Sequence, residues 1–331
     1  MSVIANESLS TKNGLTRRTF LGRALAGGAA LMATRADNIF GAASRSPASQ
    51  ATNSTWKIGG DLLVNRLGFG AMRITGDGIW GWPADRANAL KVLRRAVALG
   101  VNLIDTADAY GPETSELLIA EALHPYPKGL VIATKGGLTR PGPGQWVPDG
   151  RPDYLKQCVE KSLRRLKLEQ IDLYQLHRID PKVPAEDSLG ALKEMRDAGK
   201  IRHVGLSEVS PSQIEQARKI LPIVSVQNRY NVADRDWENT LTYCEKEKLG
   251  FMPWSPIGGG HGLKAGAPLE AAAKEHGKSV FQVALAWLLQ RSPVMLPIPG
   301  TSTIPHLEDN VAAASLKLTP AEWQAIAAAN S

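Results

Sequence analysis

Cysteine is scarce: two residues in 331 cannot build a disulfide framework, and Cys158 and Cys244, 86 positions apart, lack the Cys-x-x-Cys spacing of a zinc or redox pair. Both read as buried packing residues. No His/Cys cluster with metal-ligand spacing and no nucleophile motif occurs, so metal-assisted hydrolysis and acyl transfer have no support, and no metal site is expected. No Gly-x-Gly-x-x-Gly links a strand to a helix; Gly258-Gly259-Gly260 lacks the spacing, which excludes a Rossmann turn but not a dinucleotide held in another way. No apolar run is long enough to cross a bilayer. The formal charge of +7 is also thin, because residues 1–45 hold six Lys/Arg against two Asp/Glu and leave only +3 for the rest. The pairs Arg94-Arg95 and Arg164-Arg165 fall in helical patterns with acids nearby and read as solvated faces rather than a nucleic-acid surface.

The composition, 43% apolar and 21% charged, is that of an ordinary globular chain long enough for one large domain. Three segments are expected. Residues 1–45 form a leader in which Thr16-Arg17-Arg18-Thr19-Phe20-Leu21 reads as a twin-arginine export motif, followed by a Gly/Ala-rich apolar run at 24–34 and small residues near Ala42-Ala43 suited to cleavage. Residues 46–55 form a Ser/Ala/Thr-rich flexible linker, and 56–331 form the folded domain. The expected location is periplasmic or exported, with the export machinery as a partner, and cytoplasmic if the leader is not used.

Around Gly59-Gly60-Asp61, two short extended pieces between 56 and 64 predict a hairpin that plugs one end of a barrel. Apolar runs then recur at 66–72, 102–105, 130–134, 171–176, 203–207, 224–227, 251–254 and 294–298. Between them lie helical patterns such as 85–99, 152–166, 185–198, 212–220 and 279–290, with Gly100 and Gly199 as stops and Ser210-Pro211 as a start. Eight such units predict an α/β fold of the (β/α)8 TIM-barrel type, whose active site lies at the carboxyl ends of the strands.

That end is where the chemistry gathers. The run 102–111, Asn-Leu-Ile-Asp-Thr-Ala-Asp-Ala-Tyr-Gly, releases Asp105 at the end of a strand and Tyr110 in the loop beyond, and two later runs end in Lys135 and His177. A phenol ionises near pH ~10 and needs a neighbouring cation to exchange its proton at neutral pH. Lys135 supplies that cation, Asp105 its counter-charge, and His177 a hydrogen bond to orient a carbonyl as its oxygen gains charge. An acid, a phenol, an amine and an imidazole on successive units are the parts needed to protonate a carbonyl oxygen while hydride reaches its carbon.

Ile104-Asp105-Thr106-Ala107-Asp108-Ala109-Tyr110-Gly111, Thr134-Lys135, Asp172-Leu173-Tyr174-Gln175-Leu176-His177, Gly205-Leu206-Ser207, Val226-Gln227-Asn228, Trp254-Ser255-Pro256 and Ile298-Pro299-Gly300-Thr301 occur in that order. With this series the chain from about residue 56 onward resembles the aldo-keto reductases. The phrases Leu67-Gly68-Phe69-Gly70-Ala71-Met72 and Ala284-Leu285-Ala286-Trp287 are most similar to the bacterial pyridoxal reductase-like branch. The resemblance implies a cofactor lying extended across the barrel mouth. Ser207 and Gln227 would meet the nicotinamide amide and Trp254 would stack beneath its ring. Ser255, Ile257 and Gly258 would approach the pyrophosphate, and Gly300, Thr301, Ser302, His306 and Asn310 the adenosine end. Two residues depart from the family pattern: Glu208 stands where Asn is usual, and His306 where many members grip the 2′-phosphate with Arg. NADPH is the expected cofactor, with NADH the alternative.

Loops 76–83, with Trp80 and Trp82, and 138–150, with Trp146, are expected to wall a site for a planar or apolar aldehyde or ketone, while Arg140 or Arg178 stands ready for an anionic substituent. The competing reading is a cofactor-loaded sensing protein of the same fold that turns over slowly.

Overall fold

A computed structural model describes residues 55–259, 263 and 266–329. The leader, the linker up to residue 54 and the last two positions lie outside the described residues. Thr55, placed in the linker by the sequence reading, already belongs to the first strand.

Strands β1 (Thr55–Ile58) and β2 (Leu62–Asn65) pair antiparallel across Gly59 and Gly60, both at positive φ (63° and 88°). Glycine is required there by sterics as well as dihedral, since a side-chain carbon on Gly59 would lie 2.5 Å from the His203 ring. A seven-stranded parallel sheet follows: β3 (Phe69–Gly70), β4 (Leu103–Asp105), β5 (Val131–Gly136), β8 (Ile171–Leu176), β9 (Ile201–Ser207), β10 (Ile223–Gln227) and β11 (Gly250–Phe251), in sequence order around the sheet. Between β5 and β8, the two-residue strands β6 (Leu138–Thr139) and β7 (Val147–Pro148) make a small hairpin within the expected long loop.

The eighth segment, 294–298, closes the ring without forming a regular strand. On one side Phe251 N donates to Val294 O (2.8 Å) and Leu296 N to Phe251 O (2.7 Å); on the other Gly68 N donates to Pro297 O (2.9 Å) and Gly70 N to Pro299 O (3.2 Å). Pro297 and Pro299 carry no N–H, so this segment accepts bonds from β3 but returns none, which is why the pairing falls short of a ladder. The seam is narrow: a side-chain carbon on Gly300 would lie 2.6 Å from Gly70 O. Arg66 ties it further, its guanidinium donating to the carbonyls of Leu289, Ser292 and Met295.

Helices α1 (Arg86–Ala98), α2 (Thr114–Leu123), α3 (Pro152–Leu166), α4 (Ala185–Asp197), α5 (Pro211–Arg218), α6 (Glu238–Glu247), α7 (Ala267–His276), α8 (Val280–Arg291), α9 (Ile304–Ala312) and α10 (Pro320–Ala329) surround the strands. Ser210 and Ser279 each close a capping box with the Gln three residues on, satisfying first-turn donors that would otherwise be orphaned. Among the described residues no helix is long and apolar enough to cross a membrane.

Two layers of core result from the two-residue period of the strands. Ile104, Ile132, Tyr174, Val204 and Val226 point outward into a shell with Leu93, Val159, Leu163, Leu192 and Leu285 of the helices. Leu103, Val131, Ala133 and Leu173 point inward and pack with Met252, Leu296, Ile298 and the hairpin residues Ile58, Leu62 and Val64. The hairpin therefore floors the barrel at the amino-terminal ends of its strands, and the opposite end is left for chemistry.

Candidate active site

The same alternation that sends Leu103, Val131 and Leu173 into the apolar floor brings Asp105, Lys135 and Gln175, two or four residues later, into the barrel above it. Register completes the ring, with Lys135 opposite Gln175, Gln175 opposite Gly205, and Ser207 opposite Gln227. Gly205 makes room, because a side-chain carbon there would sit 3.0 Å from Gln175 Cγ. His177 follows Gln175 by one more period, its backbone N–H bonded to Gly136 O at 2.9 Å.

Lys135 is completely buried. Its ammonium donates to Asp105 Oδ2 at 2.7 Å, to the Thr106 carbonyl at 2.7 Å and to the Tyr110 hydroxyl at 3.4 Å. Asp105 spends its other oxygen on Gln227 Nε2 (2.8 Å) and Gln175 Nε2 (3.2 Å). Both oxygens of the carboxylate thus face donors, three in all, the condition under which a buried ion pair is tolerable. Burial works to lower the Lys135 pKa, but Asp105 and Tyr110 outweigh it and the net shift is upward, so the ammonium keeps its charge. For Tyr110, burial and then the Asp105 charge raise the pKa against the opposing pull of Lys135. The expectation that Lys135 would bring the phenol down is thus only half met: Lys135 does favour the phenolate, but removal from water wins and the resting phenol holds its proton. His177 is shifted well below the usual histidine value, first by burial and then by the Lys135, Arg178 and Arg140 charges. It is a neutral imidazole, and its buried Nδ1 has no partner among the described residues, which leaves a ring nitrogen for something that enters the cleft.

Trp146 packs edge-on to both Tyr110 and His177, with ring centroids 6.2 and 6.4 Å apart, and forms a wall beside them. Trp80 belongs to the same wall through Arg140, whose guanidinium stacks 3.5 Å from the Trp146 ring and 5.5 Å from that of Trp80. Arg140 is a strut rather than a free anion receptor, since it also donates to the carbonyls of Gln145 (2.8 Å) and Ala109 (2.8 Å). Trp82 is not brought to this wall: it is 47% exposed and lies under Arg86 at the head of α1.

The residues expected to hold a dinucleotide trace an arc along the same rim. A carboxylate only accepts, so Gln227 must turn its amide nitrogen to Asp105 and present its oxygen elsewhere, as an amide-binding role requires. The Ser207 hydroxyl accepts from Arg178 Nη1 at 2.9 Å, and the same guanidinium nitrogen donates to His177 O at 2.7 Å. Trp254, half-buried, donates its indole N–H to Glu208 Oε1 at 2.6 Å. Ser255 and Gly258 adopt left-handed backbone (φ 56° and 79°), and Gly258 N donates to Ser255 O at 3.1 Å in a tight turn that contains Ile257. Beyond Gly300, Thr301 Oγ1 accepts from Thr303 N (3.1 Å), and the Ser302 carbonyl accepts from Asn88. Thr303, the N-cap of α9, makes no side-chain cap bond, so among the described residues the first-turn donors remain available to an anion. His306 lies in that turn, exposed, and Asn310, buried, lies one turn on along the same face. These residues fit the extended binding of a nicotinamide dinucleotide.

Three side chains of this site were missed by sequence reasoning or left without a role. Gln175 was visible as the residue two before His177, on the same side of the strand. Glu208 was named without an assignment and Arg178 only as one of two candidates for an anionic substituent, because neither period nor spacing says which way a residue past a strand end will turn.

A closed parallel barrel with a phenol, an ammonium, a carboxylate and an imidazole gathered at the carboxyl ends of its strands defines an enzyme of the (β/α)8 class. A model of the aldo/keto reductase family matches residues 66–331, and the chain belongs to that family. It is 54% identical over 278 residues to an uncharacterized oxidoreductase of Schizosaccharomyces pombe, covering 84% of this chain and 90% of that one. It is 44% identical over 266 residues to a pyridoxine 4-dehydrogenase of Escherichia coli, covering 78% and 93%, in agreement with the pyridoxal reductase-like branch. An aldo/keto reductase from Klebsiella pneumoniae, solved in complex with NADP and acetate, superposes with a TM-score of 0.71 at 25% identity, covering 82% of this chain and 94% of that one. Membership carries NAD(P)H-dependent carbonyl reduction as the general chemistry of the family.

Proposed function

We propose that this chain reduces an aldehyde or ketone to the alcohol with NADPH, and that Tyr110 gives the proton. The observation that carries the reading is a wholly buried Lys135 ammonium, fixed 2.7 Å from Asp105 and 3.4 Å from the Tyr110 hydroxyl, beside a neutral His177 with an unsatisfied ring nitrogen. Reduced nicotinamide, when bound, supplies the hydride to the carbonyl carbon. Trp254 is the floor for its ring, and Ser207 and Gln227 are the grip on its amide. His177 hydrogen-bonds the carbonyl oxygen and sets its direction toward Tyr110. The phenol holds its proton until that oxygen becomes an alkoxide, a far stronger base, and then releases it. Lys135 stabilises the phenolate left behind, and Asp105 keeps Lys135 charged and in place. In the alcohol-oxidising direction the same groups run in reverse.

The Trp80–Trp146 wall favours a planar substrate, and the likeness to a pyridoxine 4-dehydrogenase makes pyridoxal the first aldehyde to try. The test is reduced-cofactor oxidation across an aldehyde panel including pyridoxal, with NADPH and NADH compared, on protein lacking residues 1–45. Multiple rapid turnovers with a lower KM for NADPH are expected. One slow turnover with retained NADP would instead favour a cofactor-loaded sensor, and a strong preference for NADH would overturn the NADPH assignment. The leader is proposed to send the folded protein through the twin-arginine route; replacing Arg17 and Arg18 with Lys should then move it from the periplasmic to the cytoplasmic fraction, and an unchanged distribution would contradict this.

A further inference from the structure

Glu208 puts a negative charge at the corner where the family pattern has a neutral amide, so its carboxylate must have another use. Strand β9 ends at Ser207, and at Glu208 the backbone turns left-handed (φ 56°) while its N–H still donates to Gln227 O at 3.1 Å. This turn swings the side chain across to the strand-end segment of the next two units. There Glu208 Oε1 accepts the Trp254 indole N–H at 2.6 Å and the Arg229 backbone N–H at 2.8 Å. Arg229 in turn pairs with Trp254 in an isolated bridge, holds Asp234 at 2.6 Å and stands over the Trp254 ring, 6.0 Å from its centroid.

We propose that Glu208 is a positioning residue that fixes the Trp254 indole as the platform for the nicotinamide ring, acting through the indole N–H rather than by touching the cofactor. The proposal rests on the reading of Trp254 as that platform. The physical case is direct. An indole has one donor and no acceptor, so its edge is oriented only by an acceptor placed opposite it. A carboxylate is the strongest acceptor a side chain offers, and at 2.6 Å the bond has the length of a charge-assisted pair. Rotation of an aromatic ring about its second side-chain torsion is otherwise broad, which is costly for a half-buried platform that must lie flat. Arg178, bonded to Ser207 Oγ at 2.9 Å, stands on the other side of the same corner. Burial lowers its pKa and the Glu208 charge offsets part of that loss.

The experiment uses Glu208→Ala, Glu208→Gln and Trp254→Phe in the otherwise intact protein. In the cofactor-free state, the indole N–H resonance of Trp254, assigned by its disappearance in Trp254→Phe among the eight tryptophans, is expected to move upfield in Glu208→Ala and less so in Glu208→Gln. NADPH Kd, from fluorescence titration, should rise on the order of 10-fold in Glu208→Ala and recover most of that loss in Glu208→Gln, which retains an acceptor oxygen. The loss should fall on the cofactor KM more than on kcat. An unmoved Trp254 resonance in Glu208→Ala, or a Gln variant no better than Ala, overturns the proposal while leaving the Trp254 platform standing. Should a Trp254→Ala variant, which removes the ring that Phe would keep, bind NADPH as tightly as the parent, the platform reading falls and the Glu208 role with it.

Discussion

Lys135 and Asp105 are each cheap only in the company of the other. Taking either away strands a buried charge, a loss typically of about 3–5 kcal/mol, so this pair constrains the architecture of the site as much as its chemistry. Tyr110 inherits the consequence. Burial holds its pKa above the ordinary phenol value even beside an ammonium, so across pH 6–9 it remains a proton donor. The rate of carbonyl reduction is therefore expected to be flat in that window, while alcohol oxidation, which needs the phenolate as base, rises with pH up to the alkaline limit of measurement. A reduction rate falling with a midpoint near neutrality would contradict this. Asp108, two residues before Tyr110, is raised to about 7, first by burial and next by the Glu116 charge. Unfolded, it loses its proton near pH ~3.9, so between about 4 and 7 the folded state holds a proton that the unfolded state lacks. Its contribution to stability is complete below the unfolded value and is lost as pH rises through about 7. Urea unfolding at pH 5 and pH 8 should show Asp108→Asn losing less stability over that interval than the parent, by up to about 2–3 kcal/mol; equal losses would argue against the buried acid.

Among the elements, those with punctuation at both ends were the ones legible in sequence. Pro152 to Leu166 and Ile171 to Leu176 fall where period and flanking residues put them. Helix α5 starts at the expected Ser210-Pro211 signal because Ser210 caps Gln213 and Gln213 returns the bond. Ser210→Ala should cost about 1 kcal/mol in chemical denaturation, with no change in cofactor affinity, and a neutral effect would show that packing alone holds the start of this helix. The barrel segment 294–298 was legible as apolar but not as strand-like in bonding, since Pro297 and, just beyond it, Pro299 remove the donors that define a ladder. The turn of Glu208 was not legible at all. It depends on a left-handed backbone and on Trp254, which is 46 positions away and is brought near only by the closed sheet. Trp82 failed for a related reason: a tryptophan in a mouth loop has two apolar faces, and sequence does not say that Arg86 will take one of them.

At the scale of the whole molecule, the floor and the mouth are two ends of one alternation. Leu103 and Asp105, Val131 and Lys135, and Leu173 and Gln175 occupy the same inward sides of their strands, apolar where the hairpin seals the barrel and polar where it opens. Ile58, fully buried against that floor, is therefore a stability residue remote from the chemistry. Ile58→Ala should cost about 2–5 kcal/mol of unfolding free energy while kcat per folded molecule is kept, and a large loss of kcat at full folding would mean that the floor shapes the site directly. The account as a whole depends on proton delivery from Tyr110 in a cleft shielded from water. Its most direct test is a single-turnover stopped-flow measurement of reduced-nicotinamide loss with an aldehyde substrate, comparing the parent with Tyr110→Phe at equal cofactor occupancy. The rate should fall by about 100-fold or more while NADPH Kd stays within about 2-fold. A Tyr110→Phe enzyme that reduces the aldehyde as fast as its parent would contradict the account.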